Sequence, residues 1–133
     1  MKKRFLVLAA ALLLSGCTAS PEESGGKINY QQVTAAEAVS LMDTEEEYII
    51  LDVRTREEYE NEHIPGAICI PNETIGAKEI PELPDKNQLI LVYCRSGNRS
   101  KQAAEKLVKL GYTNIVEFGG IHDWTGETVS GAS

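Results

Sequence analysis

The chain has 133 residues, 42% hydrophobic and 25% charged, with 13 Lys and Arg against 20 Asp and Glu for a net charge of −7. That length holds one domain, the composition excludes a disordered chain, and the acidity excludes a protein that grips phosphate backbones. Three widely spaced cysteines, Cys17, Cys69 and Cys94, exclude a disulfide scaffold and a four-ligand zinc site.

Lys2, Lys3 and Arg4 precede an apolar run from Phe5 to Leu14, and the run ends in Leu14-Ser15-Gly16-Cys17. A positive start, a short apolar stretch and small residues before a cut make residues 1–16 a secretory signal. Ten helical residues reach about 15 Å against a hydrocarbon core of roughly 30 Å, too short to span a membrane. The Leu-Ser-Gly-Cys ending resembles the lipobox of bacterial lipoproteins. It implies that Cys17 is lipidated and becomes the first residue of the mature protein. Acyl chains contribute ~0.8 kcal/mol per buried methylene, so several together hold a protein on a membrane. Residues 17–27 read as a flexible tether, and 28–133 as the folded domain. The expected location is outside the cytoplasm on a membrane surface. Loss of the three leading cations takes the net charge from −7 to −10.

From Ile28 onward strand and helix patterns alternate. Thr34 and Glu37 form a capping box that opens a helix bearing Ala38, Val39, Leu41 and Met42. Tyr48–Leu51 is a continuous apolar run, as expected of a strand buried on both faces. Thr55 and Glu58 form a second capping box, for a short helix through Tyr59. Ala67–Ile70 reads as a brief strand stopped by Pro71. An irregular stretch containing Pro81 and Pro84 leads to Leu89–Tyr93, the most apolar strand. After a polar loop a helix carries Ala103, Ala104, Leu107, Val108 and Leu110, stopped at Gly111. Ile115 and Val116 make a last strand, and Gly119-Gly120 a turn. This alternation predicts a layered α/β domain around a parallel sheet.

The segment Cys94-Arg95-Ser96-Gly97-Asn98-Arg99-Ser100 lies between the strongest strand and an amphipathic helix, where open α/β sheets bind ligands. A helix N-terminus offers unpaired N–H groups and about half a positive charge. Arg95 and Arg99 add two cations. Each of these favours thiolate over thiol at Cys94. Gly97 permits a tight turn in which successive N–H groups point into one cradle. The result is a nucleophile suited to an anionic partner. A plainer alternative, an inert buried cysteine before a solvated basic turn, fits poorly with two arginines, a glycine and no apolar neighbour in the loop.

The whole pattern resembles a single-domain rhodanese, a sulfurtransferase. The residues that carry the resemblance are Leu51-Asp52-Val53-Arg54, Glu57-Glu58-Tyr59, His63-Ile64-Pro65-Gly66-Ala67 with Ile70-Pro71, the loop Cys94 to Ser100, Gly111-Tyr112, and Gly119-Gly120-Ile121 with Trp124. They span about Ile28 to Glu127. The resemblance implies a five-stranded, mostly parallel sheet flanked by helices on both faces. It also implies a reaction in which the Cys94 thiolate takes the outer sulfur of thiosulfate or a similar donor. Sulfite leaves, and a persulfide remains for a thiol, cyanide or protein cysteine to discharge. Cradle N–H groups from about Arg95 through Ser96, Gly97, Asn98 and Arg99 would hold the terminal sulfur, with Arg95 binding the anionic donor. No cofactor, metal or nucleic acid is implied, and the protein is expected to act as a monomer. Related phosphatases and arsenate reductases of this fold place five residues between Cys and Arg. Here four separate Cys94 from Arg99, and each donor missing around a dianion costs about 1–3 kcal/mol. Sulfur transfer is therefore the expected chemistry. A non-catalytic binding or sulfur-carrier module is the alternative, and a phosphatase or redox enzyme a more distant one.

Around this loop Asp52 ends a buried strand and needs a partner. Either Arg99, so that it braces the cradle, or its neighbour Arg54 can serve. Ser100 completes the supporting set. The resemblance makes His63 part of a turn rather than a base. His122 and Asp123 read as a surface pair beside a packed Trp124, and Cys69 as a small hydrophobe or a resolving thiol for oxidised Cys94.

Overall fold

The computed structural model describes residues 29–132. The signal segment, Cys17 and the tether lie outside these residues. Five strands, β1 (Gln31–Gln32), β2 (Ile49–Asp52), β3 (Ile68–Cys69), β4 (Ile90–Cys94) and β5 (Ile115–Gly120), form one sheet in the order β1-β5-β4-β2-β3. All four neighbouring pairs are parallel. Three helices, α1 (Ala35–Thr44), α2 (Arg56–Asn61) and α3 (Asn98–Lys109), cover it, with 3-10 turns at Asn72–Thr74 and Ile121–Asp123.

Alternation along each strand divides the core in two. Leu51, Val53, Ile90, Val92, Cys94 and Ile115 face Ala103, Ala104 and Leu107 of α3. Ile50, Leu91, Tyr93, Val116 and Phe118 face Ala38 of α1 and Tyr59 of α2. Cys94 is thus turned toward α3 by strand periodicity alone. Both capping boxes form: Thr34 Oγ1 accepts from Glu37 N–H, and Thr55 Oγ1 from Glu58 N–H.

Three details differ from the sequence reading. Gln31–Gln32 is a strand that no apolar pattern announces, because both residues are exposed and only their backbones pair with β5. Gly119 and Gly120 are not a separate turn but the end of β5, where Gly120 pairs with Cys94 beside an irregularity in the ladder. The last helix begins at Asn98, so Asn98, Arg99 and Ser100 belong to its first turn rather than to the loop. The cause is Gly97, whose φ of 112° turns the chain into the helix without any side-chain cap.

Candidate active site

The central neighbours β2 and β4 send their following helices to opposite faces of the sheet: Tyr59 of α2 packs with Leu91 and Tyr93, and Leu107 of α3 with Ile90 and Val92. A crevice opens where such paths diverge. There a cavity of about 410 Å³ is lined by Arg54, Glu58, Asn61, Glu62, Arg95, Ile121 and His122. The loop after β4 forms one wall.

Cys94 ends β4 at the base of that loop and is 1% exposed. One side of it packs in the apolar cluster. On the other, Gly97 N–H donates to Sγ at 3.0 Å, and Sγ stands 3.4 Å from Ser100 Oγ. The sequence led to a sulfur ringed by donors; here one backbone N–H reaches it. The first intrahelical bond of α3 is Lys101 N–H to Gly97 O at 3.2 Å. The N–H groups of the turn before it have no acceptor within the helix. Gly97 and Ser100 are buried, while Arg95, Ser96 and Asn98 are exposed. Gly120 runs directly beneath the loop: a Cβ there would collide with the Arg95 carbonyl and stand 2.6 Å from Ser96 N.

The two arginines have different fates. Arg99 donates to both Glu58 carboxylate oxygens, at 2.7 and 3.0 Å. That hydrogen bond holds the Glu58 carboxyl down to about 2, against the pull of its partial burial, with help from Thr55. Arg99 therefore does not offer a free cation to the loop, which corrects the picture of two. Arg95 makes no ion pair among the described residues.

Asp52 takes Arg54 as its partner, not Arg99. Arg54 Nε and Nη2 donate to Asp52 Oδ1 and Oδ2 at 3.0 and 2.7 Å, and Arg54 N–H to Oδ1 at 3.0 Å. The Tyr93 hydroxyl adds a bond to Oδ2 at 2.7 Å and accepts from Ile64 N–H at 3.1 Å. Burial, then the Asp52 charge, push the Tyr93 phenol far up. Burial is the strongest single influence on the Arg54 guanidinium and pulls it down, but the hydrogen bond to Asp52 and the negative charges around it, Asp52 first, together push it up. Arg54 Nη2 also donates to Glu62 O at 2.6 Å, which ties β2 to the end of α2.

His63 is fully buried and stacked on Tyr59 at 3.8 Å, and its Nδ1 is 2.7 Å from Tyr59 O. A carbonyl can only accept, so Nδ1 carries the proton and the ring is a structural brace. His122 and Asp123 are exposed and make no ion pair among the described residues; His122 borders the cavity, and its N–H donates to Arg95 O at 3.1 Å. Trp124 packs near Phe118. Cys69 is buried, its Sγ 3.6 Å from Arg54 O, and burial pushes its thiol up.

Sequence reasoning missed Glu58, Tyr93, Glu117 and Gly120 as parts of the site. Glu58 was legible only as a helix cap, because its partner lies 41 residues away. Glu117 did leave a signal: one acid inside the apolar run Ile115–Phe118. It is 2% exposed, and its Oε2 lies 2.5 Å from Ser100 Oγ.

Comparison with known proteins finds relatives over most of the chain. The family pattern of the rhodanese-like domain matches residues 34–127. Thiosulfate sulfurtransferase PspE of Escherichia coli is 42% identical over 73 residues, covering 55% of this chain and 70% of that protein. Putative sulfur carrier protein YrkF of Bacillus subtilis is 37% identical over 111 residues, covering 78% of this chain but only 59% of the relative. A solved structure described as a rhodanese with anions from E. coli superposes with a TM-score of 0.58 at 39% identity, over 63% of this chain and 99% of that one.

Proposed function

This chain belongs to the rhodanese-like domain family, and on that premise we propose that it is a sulfurtransferase working through a persulfide on Cys94. The observation that carries the proposal is the Cys94 sulfur at the end of the central strand, with the Gly97 N–H aimed at it from 3.0 Å. The Cys94 thiolate attacks the outer sulfur of a sulfane donor, the sulfur–sulfur bond of the donor breaks, and sulfite leaves with the bonding pair. The terminal sulfur of the new persulfide carries the negative charge. The Gly97 N–H and the free N–H groups of the first turn of α3 would hold that charge, as anions are held at helix N-termini. Arg95, the loop cation without an ion-pair partner, draws the anionic donor into the crevice. A thiol or cyanide then takes the outer sulfur and returns the thiolate.

Incubation with thiosulfate and intact-mass measurement tests this. One sulfur, about 32 Da, should be gained and then lost on adding cyanide, and Cys94→Ser should gain nothing. No gain with any sulfane donor would refute the assignment. Similarity to a putative sulfur carrier favours a second reading, in which the persulfide is passed only to a partner protein. Loading without cyanide turnover would select it.

The proposed location is extracytoplasmic, through a lipid on Cys17. The supporting features are Lys2-Lys3-Arg4, the ten-residue apolar run and Leu14-Ser15-Gly16-Cys17. Cys17→Ala should move the protein from the membrane fraction to the soluble one.

A further inference from the structure

Glu117 is a buried acid on β5 that no basic side chain pairs with among the described residues. Its Oε2 accepts Gly119 N–H at 2.9 Å and lies 2.5 Å from Ser100 Oγ. That separation is in the range of a charge-assisted O–H···O bond. Ser100 Oγ is also 3.4 Å from Cys94 Sγ, 2.9 Å from Gly97 O and 3.2 Å from Gly119 O. A hydroxyl has one proton to donate. Gly97 O already accepts from Lys101 N–H. The carboxylate contact is the shortest of the four, so with Glu117 ionised the Ser100 proton lies toward it and the sulfur faces the hydroxyl oxygen from the other side.

Two arrangements share a single proton between the carboxyl and the sulfur and leave both bonded to Ser100. With Glu117 ionised, Ser100 donates to it, and the Cys94 S–H donates to Oγ. With Glu117 protonated, its O–H donates to Oγ, and Ser100 donates to a Cys94 thiolate. We propose that Glu117 is a positioning residue that stores the Cys94 proton through Ser100, so that the thiolate forms without releasing a proton to solvent. In this step the S–H bond breaks as an O–H bond forms at Ser100. The former Ser100 proton passes to Glu117 Oε2, and the negative charge moves from carboxylate to sulfur. The inference rests on Cys94 being the nucleophile and adds where its proton goes.

Other groups surround this chain of three. Arg99 on α3 and Arg95 in the loop flank Cys94, and His122 borders the crevice. Tyr30, ahead of β1, lies toward both Glu117 and Glu105 of α3. None of them bonds to Cys94 Sγ, Ser100 Oγ or the Glu117 carboxyl.

The test is the rate of Cys94 alkylation by iodoacetamide as a function of pH in the full-length protein. Two sites sharing one proton titrate in two steps. The wild type should thus show two inflections with a level stretch between them. Glu117→Gln, which keeps a hydrogen bond to Ser100 but cannot take the proton, should show a single inflection, as should Ser100→Ala. On the level stretch the wild-type infrared spectrum should contain a protonated-carboxyl C=O band that is missing from Glu117→Gln. A merely structural Glu117 would change thermal stability and leave the shape of the profile alone. A single inflection in the wild type with no carboxyl band overturns the relay, and that measurement needs no variant to fold. Alkylation requires no sulfur donor. A failed relay with normal persulfide loading therefore rejects this inference alone, and an intact relay without loading rejects the proposed function.

Discussion

Gly120→Ala probes the site without altering any polar side chain. Van der Waals contacts settle at about 3.5–4.0 Å between carbons. The added methyl would stand 2.6 Å from Ser96 N and closer still to the Arg95 carbonyl, both backbone. No side chain can swing aside, so the loop must lift by about 1–1.5 Å, the shortfall from ordinary contact. Overpacking of this kind costs about 1–3 kcal/mol. A loss of 2 kcal/mol corresponds to a fall in Tm of about 10 °C for a domain near 100 residues. A displacement of about 1 Å at reacting groups costs on the order of 100-fold in rate. Thiosulfate:cyanide turnover should therefore fall by that factor while the protein still folds. Gly119→Ala is the control: nothing lies within 4 Å of its Cβ position, but its φ of +87° is left-handed. It should lose about 1–2 kcal/mol of stability from the backbone alone and keep its turnover. Wild-type turnover in Gly120→Ala, or equal damage in both variants, would refute the claim that Gly120 sets the height of the loop.

Glu58, held down to about 2 by Arg99, contributes stability that is present above its usual value of 4.5 and is lost as pH falls toward 2. The pair is about one-third exposed, so solvent screening limits the effect to about 1 kcal/mol. Thermal unfolding of Glu58→Gln should trail the wild type at pH 7 and converge with it at the acid end. Asp52→Asn leaves the Arg54 guanidinium buried without its carboxylate and should cost about 3–5 kcal/mol in denaturant unfolding. Tyr93→Phe strips a bond from Asp52 and one from Ile64 N–H, so about 1–3 kcal/mol is expected by the same measurement. In the native protein, peptide mapping after brief iodoacetamide treatment should find Cys94 modified ahead of Cys69, whose thiol burial pushes up. Modification of Cys69 first would contradict the assignment of Cys94 as the reactive sulfur.

Local chemistry made much of this protein legible in one dimension. Apolar runs at Tyr48–Leu51 and Leu89–Tyr93 mark strands buried on both faces, and the boxes Thr34–Glu37 and Thr55–Glu58 mark helix starts. A cysteine followed by Arg, Ser, Gly, Asn and Arg marks the loop, because those residue types act through neighbours in the chain. What stayed hidden involves partners distant in sequence or backbone with no side-chain signal. Gln31–Gln32 joins the sheet through its backbone alone. Arg99 is claimed by Glu58, 41 residues away, which leaves Arg95 as the loop cation without an ion pair among the described residues. Asp52 had two arginines open to it, and the fold chose Arg54, which also reaches the Glu62 carbonyl. Gly120, read as a turn, is glycine because another segment's backbone occupies the place of its Cβ. Sequence spacing determined which groups exist and in what order. Only the closing of the sheet decided which charges meet, since ion pairs and close contacts depend on distances in space that chain separation does not fix.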